Sequence, residues 1–347
     1  MADANVANDL LWPKAGSAVL VRVAFLYVGQ GSSIAVLVRD RNAYRSLLLD
    51  INLDEKNGGI DVPALMSDVL GGAALDVFLN THPHDDHLRG IVRLAETVQI
   101  RQVWHSGHVP GKSYRDSYDD LQKVIKKVTK AGGTVAVLQG SRTASALGDA
   151  QCHVLAPAEY VSDDVNDEDP DARYRRIHEH CTVLKLGKDE TWVLITGDAD
   201  RDAFEKHITG YHKSRLGAVV LDAPHHGSRT LFRYDEEDDP YLDALQAISP
   251  EYVVLSAPTS KESPHDHPHA DAVKLYRDQV GRSGVLHTGE KRYSFICDIF
   301  DDGTYSIEDD KGALAEAYGL GGDSDKGRKV VAAGPVLTRV DDRPMGR

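Results

Sequence analysis

A chain of 347 residues in which 41% are hydrophobic can build one large domain or two ordinary ones. Its formal charge of −14 excludes a broad basic surface, and with it tight non-specific adhesion to nucleic acid or anionic membrane, while leaving room for a local basic groove. Cys152, Cys181 and Cys297 lie far apart with no CxxC pair, so neither a disulfide framework nor a thiolate zinc site is expected, and a reducing cytoplasm fits.

The opening MADANVANDLLWPKAG, an N-terminal extension over 1–16, lacks the basic start and long apolar core of an export signal. AVLVRVAFLYV is too short for a membrane span and carries Arg22. Residues 17–50 give three β-rich runs, SAVLVRVAFLYV, SIAVLVRD and AYRSLLLD, separated by GQGS and RDRN, which predicts an antiparallel meander. After a strand over 75–81, HLRGIVRLAETV has helical spacing, and SYDDLQKVIKKVTKAG predicts an amphipathic helix ending at Gly132. Further strands are expected in GTVAVLQ, AQCHVLAP, CTVLKLG, TWVLITGD, AVVLDAP, EYVVLSAP, SFICDIF and TYSIEDD, with helices at 201–209, 241–248 and 270–280. The acidic-then-basic stretch SDDVNDEDPDARYRR, 162–176, reads as a mobile surface loop, and 311–347, Gly-rich and aperiodic, as a flexible C-terminal tail. Two rounds of β-rich then α segments predict two packed sheets with helices outside, in a main domain over 17–310.

Ten of the sixteen histidines fall in four clusters: His82, His84 and His87; His178 and His180; His225 and His226; His265, His267 and His269. A lone histidine at a strand end is ordinarily a hydrogen-bonded surface residue. The run THPHDDH is different, because five ionisable groups within six positions repel or stay unpaired unless a cation sits among them. The i, i+2 spacing of His82 and His84 sends both rings the same way, and the following turn can return Asp86 and His87 toward them, leaving room for two cations. Zinc accepts imidazole and carboxylate ligands, and its catalytic sites keep a position open for water. The other clusters are weaker singly: Asp198 in ITGDAD can cap a helix near Arg201, and His269 or Asp271 can cap the helix after SPHDHPHADA.

Together these residues resemble the metallo-β-lactamase fold superfamily: THPHDDH matches its HxHxDH motif, Asp50 its early Asp, and Asp198 its metal-bridging Asp. The chain is most similar to the soluble hydrolase domain of ComEC-type competence proteins, through VGQG at 28–31, TGD at 196–198, PHHGS at 224–228 and HP at 267–268. The likeness covers most of 18–308. It departs where Tyr27 replaces an Asp before VGQG, where DIN with Asn52 replaces DxG, and where His180 stands in place of an Asn.

The resemblance implies an α+β fold, a four-layer αββα sandwich of the metallo-β-lactamase type, holding two divalent ions, Zn²⁺ or Mn²⁺. It assigns His82, His84 and His180 to the first ion, Asp86, His87 and His225 to the second, and Asp198 as the bridge. Sequence does not decide between His225 and His226. Asp86 would orient the nucleophile, the non-ligand His226 and His267 would bind the substrate or protonate its leaving oxygen, and Asp50 would orient ligands from behind. Two divalent cations sharing a water lower its pKa to about 7, giving a bridging hydroxide that suits phosphodiester hydrolysis and would equally cleave an ester, lactone or thioester, so the motif specifies hydrolysis and not the substrate.

A phosphodiesterase or nuclease acting on DNA or RNA is therefore expected, with LQKVIKKVTK and GRKVV as candidate basic faces. A hydrolase of a small ester, lactone or cyclic nucleotide is the alternative, and a non-catalytic metal-binding interaction protein a third. GQGSSI fails GxGxxG at Ile34, HEHCT fails HExxH at Thr182, and neither GxxxxGK[ST] nor GxSxG occurs, so no nucleotide cofactor and no serine nucleophile are expected.

Overall fold

Successive residues of the first strand, β1 (Val19–Phe25), serve different layers: Val21, Val23 and Phe25 pack on one side and Ala24 on the other, all buried. Burial on both faces explains why the early strands read as nearly continuous apolar runs. The computed structural model describes residues 2–14, 16–111 and 115–321. The chain continues through β2 (Ile34–Asp40), β3 (Ala43–Leu49), β4 (Leu75–Asn80), β5 (Ile100–His105) and β6 (Thr134–Val137). Next come β7 (Ser145–Leu147), β8 (Ala150–Ala156), β9 (Val183–Lys188), β10 (Thr191–Ile195), β11 (Val220–Asp222), β12 (Tyr252–Leu255) and β13 (Val285–His287). The last strands, β14 (Phe295–Phe300) and β15 (Tyr305–Asp309), return to the first sheet.

One sheet has the order β15-β14-β1-β2-β3-β4-β5-β6 and the other β13-β12-β11-β10-β9-β8-β7. The expected meander is present, β1 to β2 and β2 to β3 pairing antiparallel, while β3 to β6 run parallel. Three buried clusters define four layers. Leu47, Leu49 and Val77 meet Leu184, Val193 and Val220 between the sheets. Leu48 and Phe78 face helices Val62–Leu70, Ile91–Thr97 and Arg115–Lys130. On the far side Leu194 and Leu221 face Phe204, Leu245 of helix Asp243–Ile248, and Tyr276 of helix Ala270–Val280. This is the αββα sandwich that the order of elements predicts.

Several segments differ from expectation. Residues 162–176 are largely helical, in Glu159–Asp167 and Pro170–Arg175, because Val161 and Val165 form a buried i, i+4 pair beneath an acidic face. Arg176 then bonds Glu179 at 2.6 and 2.9 Å and Glu168 at 2.5 Å, fixing the turn that follows. The tail does not begin at 311: Ala313–Tyr318 is a helix that buries Leu314 and Tyr318, and Tyr318 Oη donates to Asp68 Oδ2 at 2.7 Å. It lies beside helix Ala2–Leu11 of the N-terminal extension, whose Ala7 and Leu11 share the same cluster. The rest of the expected tail, 322–347, falls outside the described residues. Cys152, Cys181 and Cys297 are free and buried, and among the described residues no helix is long and apolar enough to cross a membrane.

Candidate metal centre

Parallel pairing of β3 with β4 brings Asp50, just after β3, beside the 81–87 loop that follows β4. The buried Asp50 carboxylate accepts from Thr81 N at 2.8 Å, Thr81 Oγ1 at 2.6 Å, Asn80 Nδ2 at 3.0 Å and His87 Nδ1 at 2.7 Å. These bonds settle two ring orientations. Because His87 Nδ1 donates to Asp50, its Nε2 is the nitrogen left to face Asp198. The Thr81 hydroxyl spends its proton on Asp50 and so accepts from His82 Nδ1 at 3.2 Å, which leaves the Nε2 of His82 with a lone pair. That Nε2 is buried and has no hydrogen-bond partner.

The second sheet supplies the opposite wall. Asp198 follows β10 through Gly197, whose φ of 50° lies in the left-handed region and whose position a Cβ could not share with Cys181 and Thr81. Asp198 Oδ1 lies 3.0 Å from His87 Nε2 and 3.5 Å from His226 Nε2, while Oδ2 lies 3.6 Å from His82 Nε2 and 3.9 Å from His178 Nε2. One carboxylate thus reaches two groups of side chains, His82, His84, His178 and Asp198 on one side, and Asp86, His87 and His226 on the other. Within each group one ligand atom from every member lies within 4.8 Å of the rest, close enough to hold a cation.

The structure corrects the third histidine. His180 turns away, its Nδ1 3.1 Å from His108 Nδ1 and its Nε2 2.9 Å from Ser162 Oγ, so both nitrogens are engaged elsewhere. His178 joins the group instead, its Nε2 3.4 Å from His84 Nδ1. The pair sits in a turn before β9, where residues two apart do not share a face as they would in a strand.

His225 and His226 also exchange roles relative to expectation. Both adopt left-handed backbone, φ 50° and 57°, so strand alternation does not apply to them. His226 Nδ1 donates to the Ser256 carbonyl at 2.9 Å and places its Nε2 3.4 Å from Asp86 Oδ2. His225 stands beside the first group, its Nε2 3.6 Å from Asp198 Oδ2, with Nδ1 3.1 Å from Thr230 Oγ1. The His267 ring lies 5.0 Å from that of His225 and 6.3 Å from that of His226, at the edge of the cluster. His269 is taken up locally, Nδ1 accepting from Arg229 N at 3.1 Å. Ser256 is engaged here without any sequence motif to mark it; only the fold brings it in.

The electrostatics invite positive charge. Burial opposes ionisation of Asp198, but the surrounding histidines, His87 first, outweigh it and hold the carboxyl well below the usual range. Burial likewise opposes the charge on His87, and Asp198 and Asp50 overcome it, raising its pKa well above normal. Burial pushes His84 down to about 3 and His267 to about 3. A divalent cation would take the place of the proton that His87 holds, and imidazole nitrogens with ionised carboxylates are the donor set that zinc or manganese accepts.

No family model matches the sequence. No curated protein matches it either. Solved structures similar to it include a diphosphatase of the PhnP family, 13% identical over 77% of this chain and 94% of that one, with a TM-score of 0.37. A metallo-beta-lactamase superfamily protein from the archaeon Sulfolobus tokodaii is 14% identical over 50% of this chain and 62% of that one, TM-score 0.26. The metallo-beta-lactamase SMB-1 is 13% identical over 85% and 92%, TM-score 0.29. Likenesses this distant carry no chemistry with them, so function is argued from the site itself.

Proposed function

We propose that this chain is a metallo-β-lactamase-type hydrolase that uses two divalent cations to cleave phosphodiesters. The observation that carries the reading is the meeting of two ligand groups at Asp198, with ring nitrogens from both groups turned toward its carboxylate. His82, His84, His178 and Asp198 would hold one cation, and Asp86, His87, His226 and Asp198 the other. Such a pair supplies an acidified water and positive charge for the oxygen that becomes negative on attack.

The chain's own groups do the rest. Asp50, Thr81 and Ser256 lock the ring orientations of His87, His82 and His226, and the free oxygen of Asp86 accepts a hydrogen bond from the attacking water. His225 and His267 flank the ligand groups and, kept neutral chiefly by burial, donate hydrogen bonds to the substrate rather than protons to the leaving group.

A small diester is favoured over polymeric nucleic acid. On the basic helix Arg115–Lys130, Arg115 pairs with Asp119 at 3.1 Å and Lys123 with Asp120 at 2.6 Å, which lowers the net charge that the helix offers a phosphate backbone. The chain's acidity points the same way and also supports the second reading, hydrolysis of a small neutral ester or lactone.

Elemental analysis combined with turnover of bis(p-nitrophenyl) phosphate and of supercoiled plasmid tests the proposal. Zinc- or manganese-loaded protein should hold about two cations and cleave the small diester, and Asp86→Ala should lower turnover by about 10²-fold or more. Protein that takes up no cation, or Asp86→Ala with unchanged turnover, would overturn it.

A further inference from the structure

The turn 28–31 leaves one buried donor unexplained. It is held from beneath by Asn52 Nδ2, which donates to the carbonyls of Val28 at 3.0 Å and Gln30 at 2.5 Å, and by Asp54 Oδ2, which accepts from Gln30 N at 2.9 Å. Its other side lies against the proposed ligand loop: Ser32 N donates to the Asp86 carbonyl at 3.3 Å, and a Cβ on Gly31 would collide with that same oxygen.

The Gln30 side chain crosses from this turn to the 263–267 loop, where its Oε1 lies 2.8 Å from Ser263 Oγ. Ser263 Oγ already accepts from His265 N at 3.2 Å and His267 N at 3.1 Å. Its own proton must therefore go to Gln30, which fixes the amide: the oxygen faces Ser263 and the nitrogen is turned from it. That Nε2 is buried and has no hydrogen-bond partner. An amide with its acceptor anchored and two N–H groups left over, held between the Asp86 loop and the His267 loop, is a donor awaiting an acceptor.

We propose that Gln30 Nε2 is a substrate-binding donor for a non-bridging oxygen of an anionic substrate. The inference rests on the hydrolase reading above and deepens it. The proposed ligand groups would supply cations and acceptors, so an uncharged N–H pair would give the substrate's oxygen a fixed orientation that the cations alone do not. The side chain also links the turn that abuts Asp86 to the loop that carries His267, so the donor is placed by two elements of the site at once.

The test compares wild type with Gln30→Glu and Gln30→Met, all loaded with manganese. Gln30→Glu keeps an oxygen for Ser263 but replaces the N–H pair with a negative charge. Two readouts are taken: the dissociation constant for orthophosphate by titration calorimetry, and the ratio of KM for bis(p-nitrophenyl) phosphate to KM for neutral p-nitrophenyl acetate. Gln30→Glu should weaken orthophosphate at least tenfold and raise the KM ratio at least tenfold, with Gln30→Met between it and wild type. An active wild type whose phosphate affinity and KM ratio the substitutions do not move would overturn the role of Gln30, the amide then holding only structural water. If wild type binds orthophosphate in a Gln30-dependent way but cleaves neither ester, the anion site stands and the hydrolase reading falls. If it neither binds nor cleaves, both fall.

Discussion

The Nε2 atoms of His87 and His226 stand 3.2 Å apart, although each ring donates from its Nδ1, to Asp50 and to the Ser256 carbonyl respectively. Two lone pairs at that separation repel unless a positive species lies by them. In the metal-free chain the proton that His87 holds can serve, and in the loaded chain a divalent cation would take its place.

Chelation should therefore loosen the fold. A cation that binds only the folded chain stabilises it by about 2.7 kcal/mol at a free concentration a hundred times its dissociation constant. Thermal melts in EDTA and in added zinc or manganese should differ by several degrees, the loaded form melting higher. Superimposable melts would contradict a centre spanning both sheets.

Neighbouring histidines should behave oppositely. His178→Ala and His226→Ala should each lose close to one equivalent of cation by elemental analysis, whereas His180→Ala and His225→Ala should retain both. His225→Ala should still turn over more slowly, by about tenfold for one lost hydrogen bond to the substrate. Cation loss on removing His180 instead of His178 would return the assignment to the one expected from sequence.

Asp50 touches only protein groups, yet it fixes His87 directly and His82 through Thr81. Asp50→Ala should weaken cation binding by about 10–100-fold, measured by competition with a chelating dye. Affinity equal to wild type would remove Asp50 from the orienting role.

Away from the centre, buried His212 donates from Nε2 to the Leu155 carbonyl at 2.8 Å, and burial lowers its pKa from 6.5 to about 4. Between those values the unfolded chain binds the proton and the folded chain does not. The contribution of His212 is thus complete above pH 6.5 and is lost as pH falls toward 4. His212→Gln, which keeps an N–H donor, should flatten the wild-type decline in stability across that window, as read from urea midpoints. Parallel curves for the two proteins would rule His212 out as a source of acid lability.

Local chemistry made part of this site legible. His82, His84, Asp86 and His87 could be singled out because a strand end and a tight turn fix their directions within a few residues, and Asp50 and Asp198 through the resemblance to the metallo-β-lactamase superfamily. The choices between His178 and His180, and between His225 and His226, lay beyond that reach. The first pair depends on a helical segment that looked like loop, stabilised by Val161, Val165 and the Arg176 ion pairs. The second depends on two consecutive left-handed residues that no alternation rule anticipates. Short strands such as β7 and β13 are too brief to show a period of their own, whereas the helix Val62–Leu70 is legible in principle, with Asp61 as its cap, Val62, Leu65, Met66 and Val69 at helical spacing and Gly71 ending it in left-handed backbone.

The 81–87 loop hangs from the eight-stranded sheet, while Asp198 and His226 hang from the seven-stranded one. A cation seated at Asp198 would rivet the two halves of the sandwich together, and neither half alone presents a complete set of donors. Full loading would then follow the docking of the two halves, and occupancy would serve as a certificate of correct assembly.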